Sequence, residues 1–122
     1  MTQRILVADD EPNIVEALEF VLRRAGYAVA SAANGEEVLR EIERAAPDLV
    51  LLDVMMPLLS GYDVCARIRH RPEWRGIKVV MLSARGRQAE AQRGLEAGAD
   101  LYVVKPFSNA ELLRSIAALL AG

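Results

Sequence analysis

Three aspartates, a serine and a lysine carry the chemistry that this sequence offers. Asp9-Asp10-Glu11 follows the apolar run Ile5–Ala8, and Asp53 follows Leu49–Leu52. Ser83 follows Ile77–Leu82, and Lys105 follows Leu101–Val104. A carboxylate directly after an almost wholly apolar run is an unusual place for a passive charge, because burying an unpaired charge is costly. If Asp9, Asp10 and Asp53 meet, their repulsion calls for a positive partner. A divalent cation meets that need, and hard oxygen donors favour Mg²⁺, with Mn²⁺ as a substitute. Lys105 adds a second positive centre but leaves two carboxylates uncompensated. A cation, an ammonium and a hydroxyl around one carboxylate would stabilise charge on a transferring phosphoryl group.

The elements that must bring these residues together are legible as five apolar runs alternating with amphipathic stretches, the remaining run being Ala28–Ala32. Ile5–Ala8, Leu49–Leu52 and Val79–Leu82 are nearly continuous in apolar residues, which predicts strands covered on both faces. The first helix is marked by Ile14, Val15, Leu18, Val21, Leu22 and Ala25 on one face, with Pro12 at its start and Gly26 at its stop. A second begins near Asn34, carries Val38, Leu39 and Ile42, and closes at Pro47. A third starts around Gly61 and carries Val64, Cys65 and Ile68. The fourth, roughly Arg87 to Ala97, has only Leu95 as a large apolar anchor and is expected to pack most loosely. The last opens on Ser108-Asn109-Ala110-Glu111, a capping-box pattern, before Leu112, Leu113, Ile116, Leu119 and Leu120. Five β-then-α units with right-handed crossovers predict an α/β fold with helices on both faces of a parallel sheet. Ligands of such sheets bind beyond the carboxyl ends of the strands, where the reactive residues fall.

Composition narrows the function classes. With 122 residues the chain suits one domain, and no linker or repeat divides it. Hydrophobic residues at 52% and charged residues at 26% are ordinary for a globular protein. A net charge of −2 gives no field for nucleic acid, and no recognition-helix pattern appears. One cysteine permits neither a disulfide framework nor a thiolate zinc site, and a reducing, cytoplasmic setting fits. No membrane-spanning run or signal peptide is present, so no membrane partner is expected.

The ordered set Asp9-Asp10-Glu11-Pro12, Asp53-Val54-Met55-Met56-Pro57 with Gly61, Ser83-Ala84, Gly98-Ala99-Asp100 and Lys105-Pro106-Phe107 resembles the response-regulator receiver domain of two-component signalling. The resemblance spans essentially the whole chain. It implies a doubly wound, flavodoxin-like (βα)5 fold with sheet order 2-1-3-4-5, and a receiver domain over residues 1–122 with no output domain following. It implies that Asp53 accepts a phosphoryl group from a histidine kinase or a histidine phosphotransfer protein. Asp10, Asp53 and the backbone carbonyl of Met55 would ligate Mg²⁺, with Asp9 acting through a metal-bound water. Lys105, Ser83 and the backbone of Ala84 would hold phosphoryl oxygens, and the Lys105-Pro106 bond would be cis. Ser83 and Tyr102 would pass the change to the face of the fourth helix, last strand and last helix, which a downstream protein or output domain reads. Such a domain catalyses its own phosphorylation and slow dephosphorylation without being an enzyme in the ordinary sense.

Some positions depart from the common pattern. Met55 and Arg85, two residues beyond Asp53 and Ser83, flank the phosphoryl position; an apolar Met55 cannot orient a water, which predicts a long-lived phosphorylated form. Leu101, Ala91 and Ser115 stand where DNA-binding members carry charges that pair across a homodimer, so with Glu111 alone retained a more apolar contact through Leu101 is expected.

Other readings compete. Asp9-Asp10-Glu11-Pro12 taken alone also reads as a polar turn capping a helix. An aspartate-nucleophile phosphatase would need a second acid where Met55 stands. A receiver-like interaction module would not need the full set of reactive residues. Arg67, Arg69, His70, Arg71 and Arg75 read as a solvated helix end suited to the helix dipole. Cys65 reads as apolar filler, Trp74 as packing for the loop before the fourth strand, and Tyr27 and Phe107 as structural.

Overall fold

A computed structural model describes residues 2–83 and 91–122, with the backbone alone for residues 91 and 92. Its elements are β1 (Arg4–Ala8), α1 (Pro12–Arg24), β2 (Ala28–Ala32), α2 (Gly35–Arg44), β3 (Leu49–Asp53), α3 (Gly61–His70), a short 3₁₀ turn (Pro72–Trp74), β4 (Lys78–Ser83), α4 (Ala91–Glu96), β5 (Leu101–Val104) and α5 (Asn109–Ala121). The sheet is parallel in the order β2-β1-β3-β4-β5, the doubly wound arrangement expected.

Successive strand residues point to opposite faces, and here both faces are apolar. Leu6, Ala8, Val50, Leu52, Val79 and Met81 pack with Val38 and Ile42 of α2 and Val64, Cys65 and Ile68 of α3. Ile5, Val7, Leu49, Leu51, Val80 and Leu82 pack on the other side with Leu18 and Leu22 of α1 and Leu112 and Ile116 of α5. The first four residues of β3 are wholly buried, as its unbroken apolar run requires. Each such side chain is worth about 1.5–3 kcal/mol of transfer free energy. Cys65 is buried filler, and burial pushes its thiol up to about 11.

Local signals set the helix ends. Asn34 accepts the Glu37 N–H at 2.9 Å, so α2 starts one residue later than Asn34 itself, and it stops at Arg44, before Pro47. At α5 the Ser108 hydroxyl accepts the Glu111 N–H at 3.3 Å. A complete reciprocal capping box forms at α3, between Ser60 and Asp63. Leu95 does not anchor α4: it is 46% exposed. Gly94 does that work instead, because its missing side chain lets the helix approach Tyr102 and Met81 closely. The expected beginning of this helix lies outside the described residues.

The loop from β3 to α3 carries one strained residue. Leu58 is 70% exposed and sits at φ +73°, a left-handed conformation that a branched side chain enters at a cost of about 1–2 kcal/mol. Asparagine tolerates this region, and little burial is lost at so exposed a site. Leu58→Asn should therefore stabilise the chain by about 1 kcal/mol, read as a higher urea midpoint at unchanged slope.

Candidate functional site

The carboxyl edge of the sheet assembles the reactive residues. Asp53 is the last residue of β3 and Ser83 the last of β4, while Asp9 and Asp10 follow β1 and Lys105 follows β5. Pairing continues past the strands: Asp9 N–H donates to the Ala32 carbonyl, Val54 N–H to Leu82, and Lys105 N–H to Ser83. Hydrogen bonds of the sheet thus fix where each side chain leaves the backbone. Gly61 closes the loop over Asp53, with its N–H on the Val54 carbonyl at 2.8 Å. A β-carbon there would lie 2.6 Å from the Asp53 carbonyl oxygen, so only glycine permits this approach.

Oxygen atoms of Asp9, Asp10 and Asp53 lie within 4.8 Å of one another. Asp9 and Asp53 are buried and Asp10 is exposed. Lys105 Nζ donates to Asp9 Oδ2 at 3.1 Å and stands 3.8 Å from Asp53 Oδ1. Asp9 Oδ1 accepts the Glu11 N–H at 2.9 Å, so one oxygen serves a local turn while the other meets Lys105. The expected helix cap is not made, because Glu11, the N-cap of α1, makes no side-chain capping bond. Asp53 Oδ1 accepts the Met55 N–H at 3.3 Å.

Among the described residues, charge does not balance in this cluster. Unit charges about 5 Å apart interact by about 3 kcal/mol in a medium of effective dielectric about 20. Three repulsive carboxylate pairs face two attractions, from Lys105 to Asp9 and to Asp53. Burial, and next the Asp9 charge, push the Asp53 carboxyl up to about 6 against the pull of Lys105 and the Met55 N–H. Three hard oxygen donors with surplus negative charge suit a divalent cation of the Mg²⁺ or Mn²⁺ kind. His70 and Cys65, the softer donors, lie on α3 outside the cluster.

The other expected residues distribute as follows. Ser83 is buried at the edge of the cluster. Tyr102 packs from β5 against the face of the sheet that α4 covers, next to Gly94 rather than among the carboxylates. Met55 is 57% exposed, an apolar side chain in water beside Asp53. Ala84 and Arg85 lie outside the described residues. The Lys105-Pro106 bond is cis, as the resemblance implied.

Within the basic cluster the structure corrects one expectation. Arg69 is no solvated charge: its guanidinium donates to the carbonyls of Ile77 and Gly98 and to the Asp100 carboxylate. Those acceptors are remote in sequence, so helix-end chemistry alone could not find them. Arg71 covers the ring of the buried Trp74 at 3.9 Å and pairs with Glu43.

The model of the response regulator receiver domain matches residues 5–117. The chain belongs to that family. This receiver domain is 42% identical over 120 residues to the alkaline phosphatase synthesis transcriptional regulatory protein PhoP of Bacillus subtilis, covering 98% of this chain and 49% of that protein. It is 43% identical to the DNA-binding response regulator MtrA of Mycolicibacterium smegmatis, covering 98% of this chain and 51% of MtrA. The chain therefore spans about half the length of these relatives. Among solved structures, a response regulator from Chloroflexus aurantiacus superposes with a TM-score of 0.96 at 39% identity, covering 100% of both chains. The BeF3-activated DrrB receiver domain superposes at 0.89 with 33% identity, again covering 100% of both. No helix among the described residues is long and apolar enough to cross a membrane.

The raised Asp53 carboxyl has a consequence for stability without metal. The folded chain binds this proton more tightly than the unfolded chain, so the group's contribution is full below about pH 4 and is lost as pH rises through about 6. Asp53→Asn should accordingly melt higher than the parent at neutral pH in EDTA. The gap should close as the buffer approaches about pH 4, measured by thermal scans across the range.

Proposed function

We propose that this receiver domain accepts a phosphoryl group on Asp53 from a phosphohistidine of a histidine kinase or phosphotransfer protein. The observation that carries this reading is the cluster itself: a buried strand-end carboxylate with Lys105 Nζ 3.8 Å away and two further carboxylates within 4.8 Å. An Asp53 carboxylate oxygen forms the new O–P bond as the donor's N–P bond breaks, and the imidazole leaves with the electron pair. Lys105 holds an ammonium where charge on the phosphoryl oxygens accumulates, and Ser83 offers a hydroxyl on the neighbouring strand. Asp10, Asp53 and the Met55 carbonyl would hold Mg²⁺, with Asp9 linked through water. When bound, the ion supplies positive charge that offsets the carboxylates and the incoming oxygens.

Conversion of a carboxylate into a group of about −2 charge changes what Ser83 and Lys105 face. Ser83 ends β4 and Tyr102 lies on β5 beneath α4, so a shift of Ser83 has a direct path into the α4-β5-α5 face. Exposed Met55 presents no polar atom to a water near Asp53, which supports a long-lived phosphorylated form. A homodimer through α4-β5-α5 would rely less on charge than in DNA-binding relatives. Leu101 offers it only part of its surface, being packed partly into the core.

Intact-mass analysis with Mg²⁺ and a small phosphodonor should show one adduct, absent in Asp53→Asn. No adduct on the parent would overturn the reading, and rapid turnover of an unrelated phosphate ester would favour a hydrolase. Mg²⁺ should also raise the melting temperature of the parent but not of Asp53→Asn. Ser83→Ala should retain beryllofluoride binding but lose the response of Tyr102, followed by ring NMR signals. A full Tyr102 response in that variant would remove Ser83 from the coupling.

A further inference from the structure

α4 is held far more firmly at its end than at any anchor its sequence advertises. Its last turn closes with Gly98 N–H on the Leu95 carbonyl at 3.0 Å and Ala99 N–H on Gly94 at 3.2 Å, a Schellman motif with Gly98 at φ +110°. Arg69 then fastens this turn to the body of the protein. Its Nε donates to the Gly98 carbonyl at 2.8 Å, Nη1 to the Ile77 carbonyl at 2.6 Å, and Nη2 to Asp100 Oδ2 at 2.7 Å. The same Asp100 oxygen accepts the Val79 N–H at 2.8 Å, and the Asp100 N–H returns to the Val79 carbonyl. A β-carbon on Gly98 would lie 2.5 Å from Arg69 Cγ, so the arginine stem fills the space that glycine leaves. Gly94, one turn back, would put a β-carbon 2.9 Å from Tyr102 Cδ2 and 3.0 Å from Met81 Sδ.

One planar guanidinium thus joins the end of α3, the entry to β4 and the turn between α4 and β5. Ile77 and Ser83 are separated by the length of β4, about 20 Å at the rise of an extended chain. The clamp and the reactive edge therefore lie at opposite ends of the same strand. We propose that Arg69 is a positioning residue that makes the last turn of α4 the fixed end of the switch. A change arriving at Ser83 is then expressed as a tilt of α4 about Gly98, not as a slide of the whole helix across β5. Sliding would pull the Gly98 carbonyl off a guanidinium that is held in place by the Ile77 carbonyl and the Asp100 carboxylate, whereas a tilt about Gly98 preserves that bond. The trigger in this inference rests on the phosphoacceptor reading of Asp53; the clamp does not.

Backbone amide NMR on the 122-residue chain, with Mg²⁺ and beryllofluoride, tests it. Signals of Asp53 and Ser83 should shift and the first residues of α4 with them, while Ala97, Gly98 and Asp100 stay in place. Shifts at Ala97–Asp100 as large as those at the start of α4 would overturn the proposal. Arg69→Lys keeps the charge but cannot span three acceptors. It should still bind beryllofluoride, yet the shifts should spread into Ala97–Asp100 and hydrogen exchange there should quicken several-fold. An unchanged pattern in Arg69→Lys would overturn the proposal as well. Should that variant not fold, Asp100→Asn weakens the same clamp while leaving the carbonyl acceptors, and the same spread is expected. If Asp53 and Ser83 do not respond in the parent, the phosphoacceptor reading fails by itself. The clamp is then judged from unliganded hydrogen exchange: Gly98 and Ala99 slower than Glu96 supports it, and no difference refutes it.

Discussion

A buried carboxylate at the end of the most deeply buried strand, with one ammonium set against three acids, governs the rest of this molecule. Asp53 leaves β3 where both faces are sealed by apolar side chains, so water cannot neutralise it freely. The backbone responds by offering the Met55 N–H, and β5 responds by offering Lys105. Neither is enough, and the carboxyl is held at about 6. The edge is thereby suited to positive charge. Strand order, the glycine at position 61 and the pairing that continues beyond the strands all act to keep those groups within reach of one another.

Much of this was legible because it is local. A run such as Leu49–Leu52 has nowhere to go but the middle of a covered sheet, and the residue after it must then lie at the carboxyl edge. The same logic placed Asp9, Ser83 and Lys105, and Ser108 signalled its helix start by the capping bond it makes. Asp9 was ambiguous for a physical reason. A carboxylate has two oxygens, and here one serves the turn while the other meets Lys105.

What sequence reading missed depends on contacts between distant residues. Arg69 looked like one cation among several at a helix end, and Leu95 looked like the natural anchor of α4. In the fold, acceptors from two other segments converge on Arg69, and a glycine rather than a leucine seats the helix. Close approach leaves no apolar periodicity to read, because its signature is an absent side chain. Leu58 is the opposite case, a residue whose type argues against the conformation it adopts.

The burial of Cys65 has a consequence for how this chain meets oxidants. With its thiol pushed up to about 11 and no surface exposed, it holds almost no thiolate at neutral pH and offers peroxide nothing to attack. Met56 is partly covered and Met81 wholly so, whereas Met55 stands in solvent beside Asp53. Among the described residues, oxidative damage would therefore fall first on a thioether, turning the apolar neighbour of Asp53 into a polar sulfoxide.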